Sequence, residues 1–595
     1  QCFARGTLEF VRPQNRKIIA YVRTFGAEIV LCVANLSQTA QAVELDLSKY
    51  KGRVPVELMG RNAFPPIGEL PYMLTLPAHA FYWFRLASDA TPPDWHREML
   101  VRDEAPIVVL FDGWTSFFRD QVVPWRIGMA EKLRAELESQ VLPRFVEAQR
   151  WYAAKGEPAK EARVFDRAIW QEGPVGWLLS VLEIQKERYF LPLAMAWEDE
   201  EEQMRALAAG TVARIRQQAN VGVIGDALAD EAFCRHVVKA IGMGKSLPTA
   251  RASLRFVATR AFPGLAKEDL ASIAIGGVKA ASTNTAVQVG EHLFLKCYRR
   301  IREGTHPELE IGRFLTEVAH FPHCVPLAGA VEYLAKEGGE PATLMLLQAY
   351  LPNQGDGWAY TLGFLQRYLE SAGTQEGLGA YVSLMQTLAV PTAELHAALA
   401  PRSGNPAFDP EPFTAQDMQE WKARVRQEAQ ATFGLLKKDL LDDGTRERLL
   451  DLIDSCPPPS KPALKTRHHG DYHLGQVLIA NNDFVIIDFE GEPGRALAES
   501  RRKRSPLRDV AGMLRSFSYA RWSASDKESQ VLDDWEAQSR RAFLDAYRVD
   551  ADQRGLLELA EVEKLLYELR YELANRPDWI HVPVRGALAL LGVKT

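Results

Sequence analysis

At 595 residues the chain is too long for one hydrophobic core and should hold three or four units. Apolar and charged fractions of 47% and 25% are ordinary for a soluble globular protein, and a net charge of -6 gives no reason to expect a nucleic-acid partner. No apolar run approaches the ~18 residues that a membrane helix needs.

The chain begins at Gln1 without a methionine and with no charged-then-apolar leader, and it reads as a segment of something longer. Residues 1 to about 88 alternate in the two-residue period of half-buried strands, as in "KIIAYVRTF", "AEIVLCVANLS" and "MLTLPAHAFYWFRL". Short turn signals separate them, which predicts an antiparallel sandwich. The polar, proline-bearing "ASDATPPDWHRE" reads as a linker. From about 105 the pattern changes to a strand, "PIVVLFDG", a mostly helical stretch, and strands in "PVGWLLSVLEIQ" and "ERYFLPLAMAWE". Strand-like segments dominate again from about 250 to "ATLMLLQAYL", and long helical patterns follow Pro352. A strand-rich half before a helix-rich half is a bilobal plan. The six cysteines (Cys2, Cys32, Cys234, Cys297, Cys324, Cys456) are scattered without a C-x-x-C pair, which suits free thiols in a reducing compartment; a cytoplasmic location is expected.

The chemistry concentrates in "RHHGDYHLGQVLIANNDFVIIDFEGEP" (Arg467 to Pro493). Phosphoryl transfer needs a carboxylate at the attacking hydroxyl, ligands for magnesium and cations around the phosphates. His469-Gly470-Asp471 with Gln476 at the +5 position matches the H-R-D-x-x-x-x-N kinase loop, with Gln for Asn. Asp488, in "VIIDFEG" after an apolar strand, stands where the metal-binding aspartate belongs, and Glu490 is a further candidate ligand. His468, His469 and His473 lack the partners of a zinc site and read as braces of the loop. Lys296 ends the apolar strand "EHLFLKC" and suits the ATP phosphates. In "THPELEIGRFL" Thr305 can cap a helix, Pro307 suits its first position, and Glu310, with Glu308 in reserve, is the expected partner of Lys296. Ser282, Thr283 and Asn284 are the candidates for the turn over the phosphates, and Gln348 to Tyr350 for the hinge that meets adenine. "GMGKSLP" lacks the first glycine of a Walker loop, because position 239 is Lys239, and reads as a helix end. His396 reads as structural.

Residues from about 105 onward resemble maltokinase, a member of the aminoglycoside-phosphotransferase-like kinases, through "RFVEAQRWYAAKG", "STNTAVQVGEHLFLKCYRRIREGTHPELE", "HHGDYHLGQVL", "IIDFEGEP" and "RRKRSPLRDVAGMLRSFSYA". Residues 1 to 88 resemble the C-terminal sandwich of trehalose synthase. The resemblance implies a β-sandwich over 1–90, a linker over 91–104, a cap subdomain over 105–200, a small lobe over 201–350 and a helical lobe over 351–595. It also implies ATP and magnesium as cofactors, and phosphorylation of maltose at its anomeric hydroxyl. Asp471 would take or orient the hydroxyl proton, with Gln476, Asp488 and Glu490 on the metal and Lys296 on the phosphates. The sugar is expected near the segment after Asp488, where Glu492, Arg495 and Arg508 are candidates. Isomerase activity is not expected, because the barrel that performs it would precede Gln1; a barrel domain or another copy is the expected macromolecular partner. The competing readings are a kinase of another small molecule such as glucosamine, a non-catalytic scaffold, and a protein kinase. Asp471, Asp488 and Lys296 argue against the scaffold, and the missing glycine-rich loop and A-P-E segment argue against the protein kinase.

Overall fold

The alternating apolar pattern of the first ninety residues produces seven strands: β1 (Thr7–Val11), β2 (Ile18–Phe25), β3 (Glu28–Asn35), β4 (Gln41–Leu45), β5 (Val54–Glu57), β6 (Tyr72–Leu76) and β7 (Phe81–Ala87). One sheet runs β1-β2-β3-β7-β5 and the other pairs β4 with β6, all antiparallel. Ile18, Ala20 and Val22 of β2 and Tyr72, Leu74 and Leu76 of β6 turn inward at alternate positions onto one core with Leu31 and Phe84. The computed structural model describes every residue except 1, 14, 27, 60–61, 69–70, 89–104, 153–157, 281–283, 336–337, 371–374, 438–439, 526 and 593–595. Contacts divide the chain into two units, Gln1–Glu104 and Ala105–Thr595.

Among the described residues the second unit holds two seven-stranded sheets and a helical lobe. The first sheet uses β8 (Ile107–Leu110), β9 (Arg163–Glu172), β10 (Val175–Ile184), β11 (Glu187–Trp197), β12 (Thr211–Gln217) and β13 (Asn220–Asp226) in the order β8-β12-β13-β11-β10-β9, so it continues past residue 200. The second is β14 (Ser246–Pro248), β15 (Ala252–Ala258), β16 (Lys279–Ala280), β17 (Asn284–Val289), β18 (Leu293–Tyr298), β20 (Leu327–Ala335) and β21 (Ala342–Ala349), ordered β14-β15-β20-β21-β18-β17-β16. The short β19 (Arg300–Ile301) leaves this region and pairs with β11, tying the sheets together. Helix Glu231–Met243 ends at Gly244 in the left-handed conformation, φ 63°, so the Gly-Lys-Ser string is a helix end.

The helical lobe packs Gly357–Glu370, Gln375–Ala398, Ala415–Leu435, Leu507–Ala524, Gln530–Tyr547 and Arg554–Asn575 around one apolar core. Inserted in it is a hairpin, Val477–Ala480 against Asp483–Ile486, flanked by the two aspartate loops. All six cysteines are free and buried, and among the described residues no helix is long and apolar enough to cross a membrane.

Candidate active site

In β18, Leu293, Leu295 and Cys297 point into the core, and the two-residue period sends Lys296 to the other face. Its ammonium lies 2.7 Å from Glu308, 2.8 Å from Asp488 and 2.6 Å from Glu490. Burial opposes the charge on Lys296, yet Glu308, Glu490 and Asp488 hold its pKa well above the ordinary lysine value. The expected partner, Glu310, is not the one. Glu310 is held by Arg467 at 2.6 Å and Arg501 at 2.8 Å, while Glu308 takes Lys296 and the Tyr298 hydroxyl and accepts from the Gln348 amide at 3.2 Å. Both acids lie in the first turn of helix Pro307–Glu317; Pro307 is at its first position, but the cap is His306 rather than Thr305.

Asp488 follows the hairpin in the left-handed region, φ 66°, which a non-glycine residue adopts only when its surroundings enforce it. Burial pushes the Asp488 carboxyl up, but Lys296 more than offsets this and holds it at about 2. Burial lifts Glu490 the other way, to about 7, against Lys296 and with the help of Asp488 and Glu308. Glu308, Asp488 and Glu490 bring ligand oxygens within 4.8 Å of one another. The Gln476 amide faces Asp488 at 3.3 Å, and Asn284 donates to Glu490 at 2.9 Å. Ser282 and Thr283 lie outside the described residues. Tyr350 donates its backbone N–H to His292 at 2.6 Å, so that hinge group is already occupied.

Asp471 forms a second charged centre. Lys564, from helix Arg554–Asn575, donates to Asp471 at 2.8 Å and to Glu492 at 3.2 Å. Burial alone would raise the Asp471 pKa; Lys564 reverses this and keeps the carboxyl below its ordinary value. Glu492 is also paired with Arg495, whereas Arg508 is buried against Glu563 and borders the same small cavity as Asp471.

The loop is braced from below. His469 donates from Nε2 to the Ile487 carbonyl at 2.8 Å, leaving Nδ1 to accept the Asp471 N–H at 3.3 Å. Asp509, 1% exposed, accepts the N–H groups of His469 at 2.7 Å and Gly470 at 2.9 Å, and His396 at 3.1 Å. Helix Leu507–Ala524 comes this close because Gly512 has no side chain: a Cβ there would sit 2.5 Å from the Tyr472 carbonyl oxygen. His468 is buried and held near pKa 3 by that burial, and its Nδ1 has no hydrogen-bond partner, so the bracing expected of it is not made through that nitrogen. His396, between Asp509 and the Tyr547 hydroxyl, is structural.

The maltogenic amylase C-terminal domain family matches residues 8–83, the maltokinase N-terminal cap domain 145–230 and the phosphotransferase enzyme family 277–491. A trehalose synthase of Pimelobacter sp. (strain R48) is 53% identical over 96 residues. Three successive segments of the chain are thus similar to a maltogenic amylase C-terminal domain, a maltokinase N-terminal cap domain and a phosphotransferase domain. The chain spans 16% of the length of that trehalose synthase, and the match covers 16% of this chain. A glucosamine kinase of Streptacidiphilus jiangxiensis is 28% identical over 327 residues, 52% of this chain and 71% of that protein. The structure of a glucosamine kinase in complex with glucosamine, ADP and inorganic phosphate superposes with a TM-score of 0.53 at 21% identity, covering 76% of this chain and all of that one. The second unit thus has the bilobal fold of kinase-like phosphotransferases, with a segment similar to the maltokinase cap domain.

Two positions at the site, Asp509 and Lys564, are not singled out by the sequence, and a third, Glu308, stands there only in reserve. Glu308 was placed second to Glu310, although both stood in the right turn. Asp509 lies inside the "RRKRSPLRD" string, where the first-turn position of an acid was the available signal. Lys564 is 93 residues from Asp471 on an otherwise ordinary helix, and nothing local marks it.

Proposed function

We propose that this protein transfers the γ-phosphate of ATP to the anomeric hydroxyl of maltose, giving maltose 1-phosphate and ADP. The observation that carries the reading is the division of charge across the loop: a lysine among three carboxylates on one side, and an aspartate paired with a buried lysine on the other. The first arrangement suits a nucleotide. Lys296, oriented by Glu308, would meet the α- and β-phosphates. Asp488 and Glu490 are hard oxygen donors that fit magnesium, whose charge neutralises phosphate oxygens when bound; Gln476 donates its amide N–H to Asp488 at 3.3 Å and would offer its amide oxygen only after that amide turns over. Asp471 accepts the proton of the sugar hydroxyl as that oxygen bonds to the γ-phosphorus and the bond to the β–γ bridging oxygen breaks. Its low pKa makes it an orienting acceptor more than a strong base, which suffices where proton transfer lags phosphoryl transfer.

The second arrangement bears on the acceptor. Lys564 places an ammonium against Asp471, so an amino sugar would bring a second cation to a buried position that already holds one. A neutral sugar meets no such repulsion. The maltokinase cap domain supports maltose among neutral sugars, whereas the relatives named glucosamine kinases support the amino sugar as the rival.

ADP release with ATP and magnesium against maltose, trehalose, glucose and glucosamine tests the reading. Turnover should be highest with maltose and fall 10²–10⁴-fold in Asp471→Asn. Equal or faster turnover with glucosamine would refute the assignment of the acceptor.

A further inference from the structure

A cavity of ≈ 470 Å³, bordered by neither Asp488 nor Lys296, is lined by eight arginine and lysine side chains and three carboxylates. Its walls come from helix Ala415–Leu435, the end of strand Ala463–Lys465 with Arg467 just after it, and the segment from Arg501 to Arg508. That volume suits a small molecule. Two observations say which kind. Arg467 is 1% exposed; Nη1 holds Glu310, its guanidinium lies 5.2 Å over the Phe408 ring, and Nη2 is buried with no hydrogen-bond partner. A buried charged donor without an acceptor is costly unless a ligand completes it. Arg504 carries the second sign. It pairs with Glu499, yet burial, then Arg508 and Arg424, lowers its pKa to about 9, so it stands close to two further cations of the same cavity.

We propose that this cavity binds a phosphate monoester, either free phosphate or a sugar phosphate. Guanidinium forks match phosphate oxygens in pairs, and several already converge here. Trp421 and Phe413, edge to face at 6.3 Å in the wall, offer a sugar ring an apolar surface beside them. Occupancy reaches the nucleotide side through one helix. Arg467 and Arg501 both grip Glu310, in the same turn as Glu308. A dianion competing for these guanidiniums loosens the tether of that turn, and the orientation of Lys296 with it. Protein kinases fill comparable basic pockets with a phosphorylated residue of their own activation loop; here the cavity leaves room for a free ligand. The site does not depend on which sugar is the acceptor.

Calorimetric titration of the full chain with inorganic phosphate and with glucose 1-phosphate, at ionic strength held by chloride, tests the proposal. Saturable binding is expected, at least tenfold weaker in Arg504→Gln and in Lys465→Gln. Tighter binding of glucose 1-phosphate identifies a sugar phosphate as the source; tighter binding of phosphate identifies the free ion. Phosphate should also raise KM for ATP severalfold in the wild type and not in Arg504→Gln. Heats no larger than those of chloride overturn the proposal. So does binding that survives both substitutions, since that binding belongs to the nucleotide side. Circular dichroism of each variant without phosphate shows that it is folded before the comparison is made.

Discussion

Asp509 does for the loop backbone what no side chain of the loop can do for itself. A buried carboxylate accepts two adjacent N–H groups and a histidine, and these bonds fix the path from His469 to Asp471. Burial raises its pKa, but His396, His468 and His469 reverse the effect and hold it well below the usual carboxylate range. A folded-state pKa below the unfolded value of about 3.9 contributes stability that is present above about pH 4 and is lost as pH falls below it. Asp509→Asn keeps one acceptor and sets an NH₂ against a backbone donor. It should cost about 2–4 kcal/mol at pH 7, with kcat falling through the displaced loop. Chemical unfolding of wild type and variant at pH 7, 5 and 3 checks this: the stability gap should shrink as pH falls from 5 to 3. A gap that stays constant over that interval would assign the cost to packing rather than to the charge.

On the scale of single elements, the first turn of helix Pro307–Glu317 separates two tasks. Residues two apart on a helix point about 200° apart, so Glu308 and Glu310 cannot serve the same cation. Glu308→Gln should therefore raise KM for ATP and lower kcat by 10-fold or more. Glu310→Gln leaves Arg467 and Arg501 without their counter-charge while keeping one acceptor, and should act mainly on stability, by about 1–3 kcal/mol, with kcat within a few-fold of wild type. Steady-state kinetics beside thermal unfolding separates the two, and the reverse pattern would restore Glu310 as the lysine's partner. The same turn shows what the sequence made legible. Pro307 and the acid-rich turn located the helix start, because those signals act on the backbone locally. Which acid faces Lys296 depends on where Arg467 and Arg501 lie, 157 and 191 residues further along, and spacing does not carry that. The strand before Lys296, the loop at Asp471 and the hairpin before Asp488 were legible for the same local reason. β9, β12 and β13 were not singled out, since in the sequence they sit between segments that read as helix and loop.

For the whole molecule, the order of parts was legible because composition changes abruptly at each junction, whereas the meeting of Lys564 with Asp471 belongs to tertiary packing. Every side chain placed at the site, from Asn284 to Lys564, belongs to the second unit. The core of the sandwich is built from residues between Ile18 and Leu86, and the cores of the second unit begin at Val108. Units with separate cores fold and unfold largely on their own terms. The phosphoryl-transfer chemistry should then be independent of the sandwich. A chain of residues 105–595 should keep kcat and KM for ATP within about twofold of the full-length values, and calorimetry of the full chain should show two transitions, one of them absent from the shorter chain. Loss of more than tenfold in kcat by a shorter chain that still shows its own cooperative transition would mean that the sandwich contributes to the catalytic unit. Loss of activity together with that transition would mean that the second unit needs the sandwich to fold, and the separation of cores would not be a separation of stability.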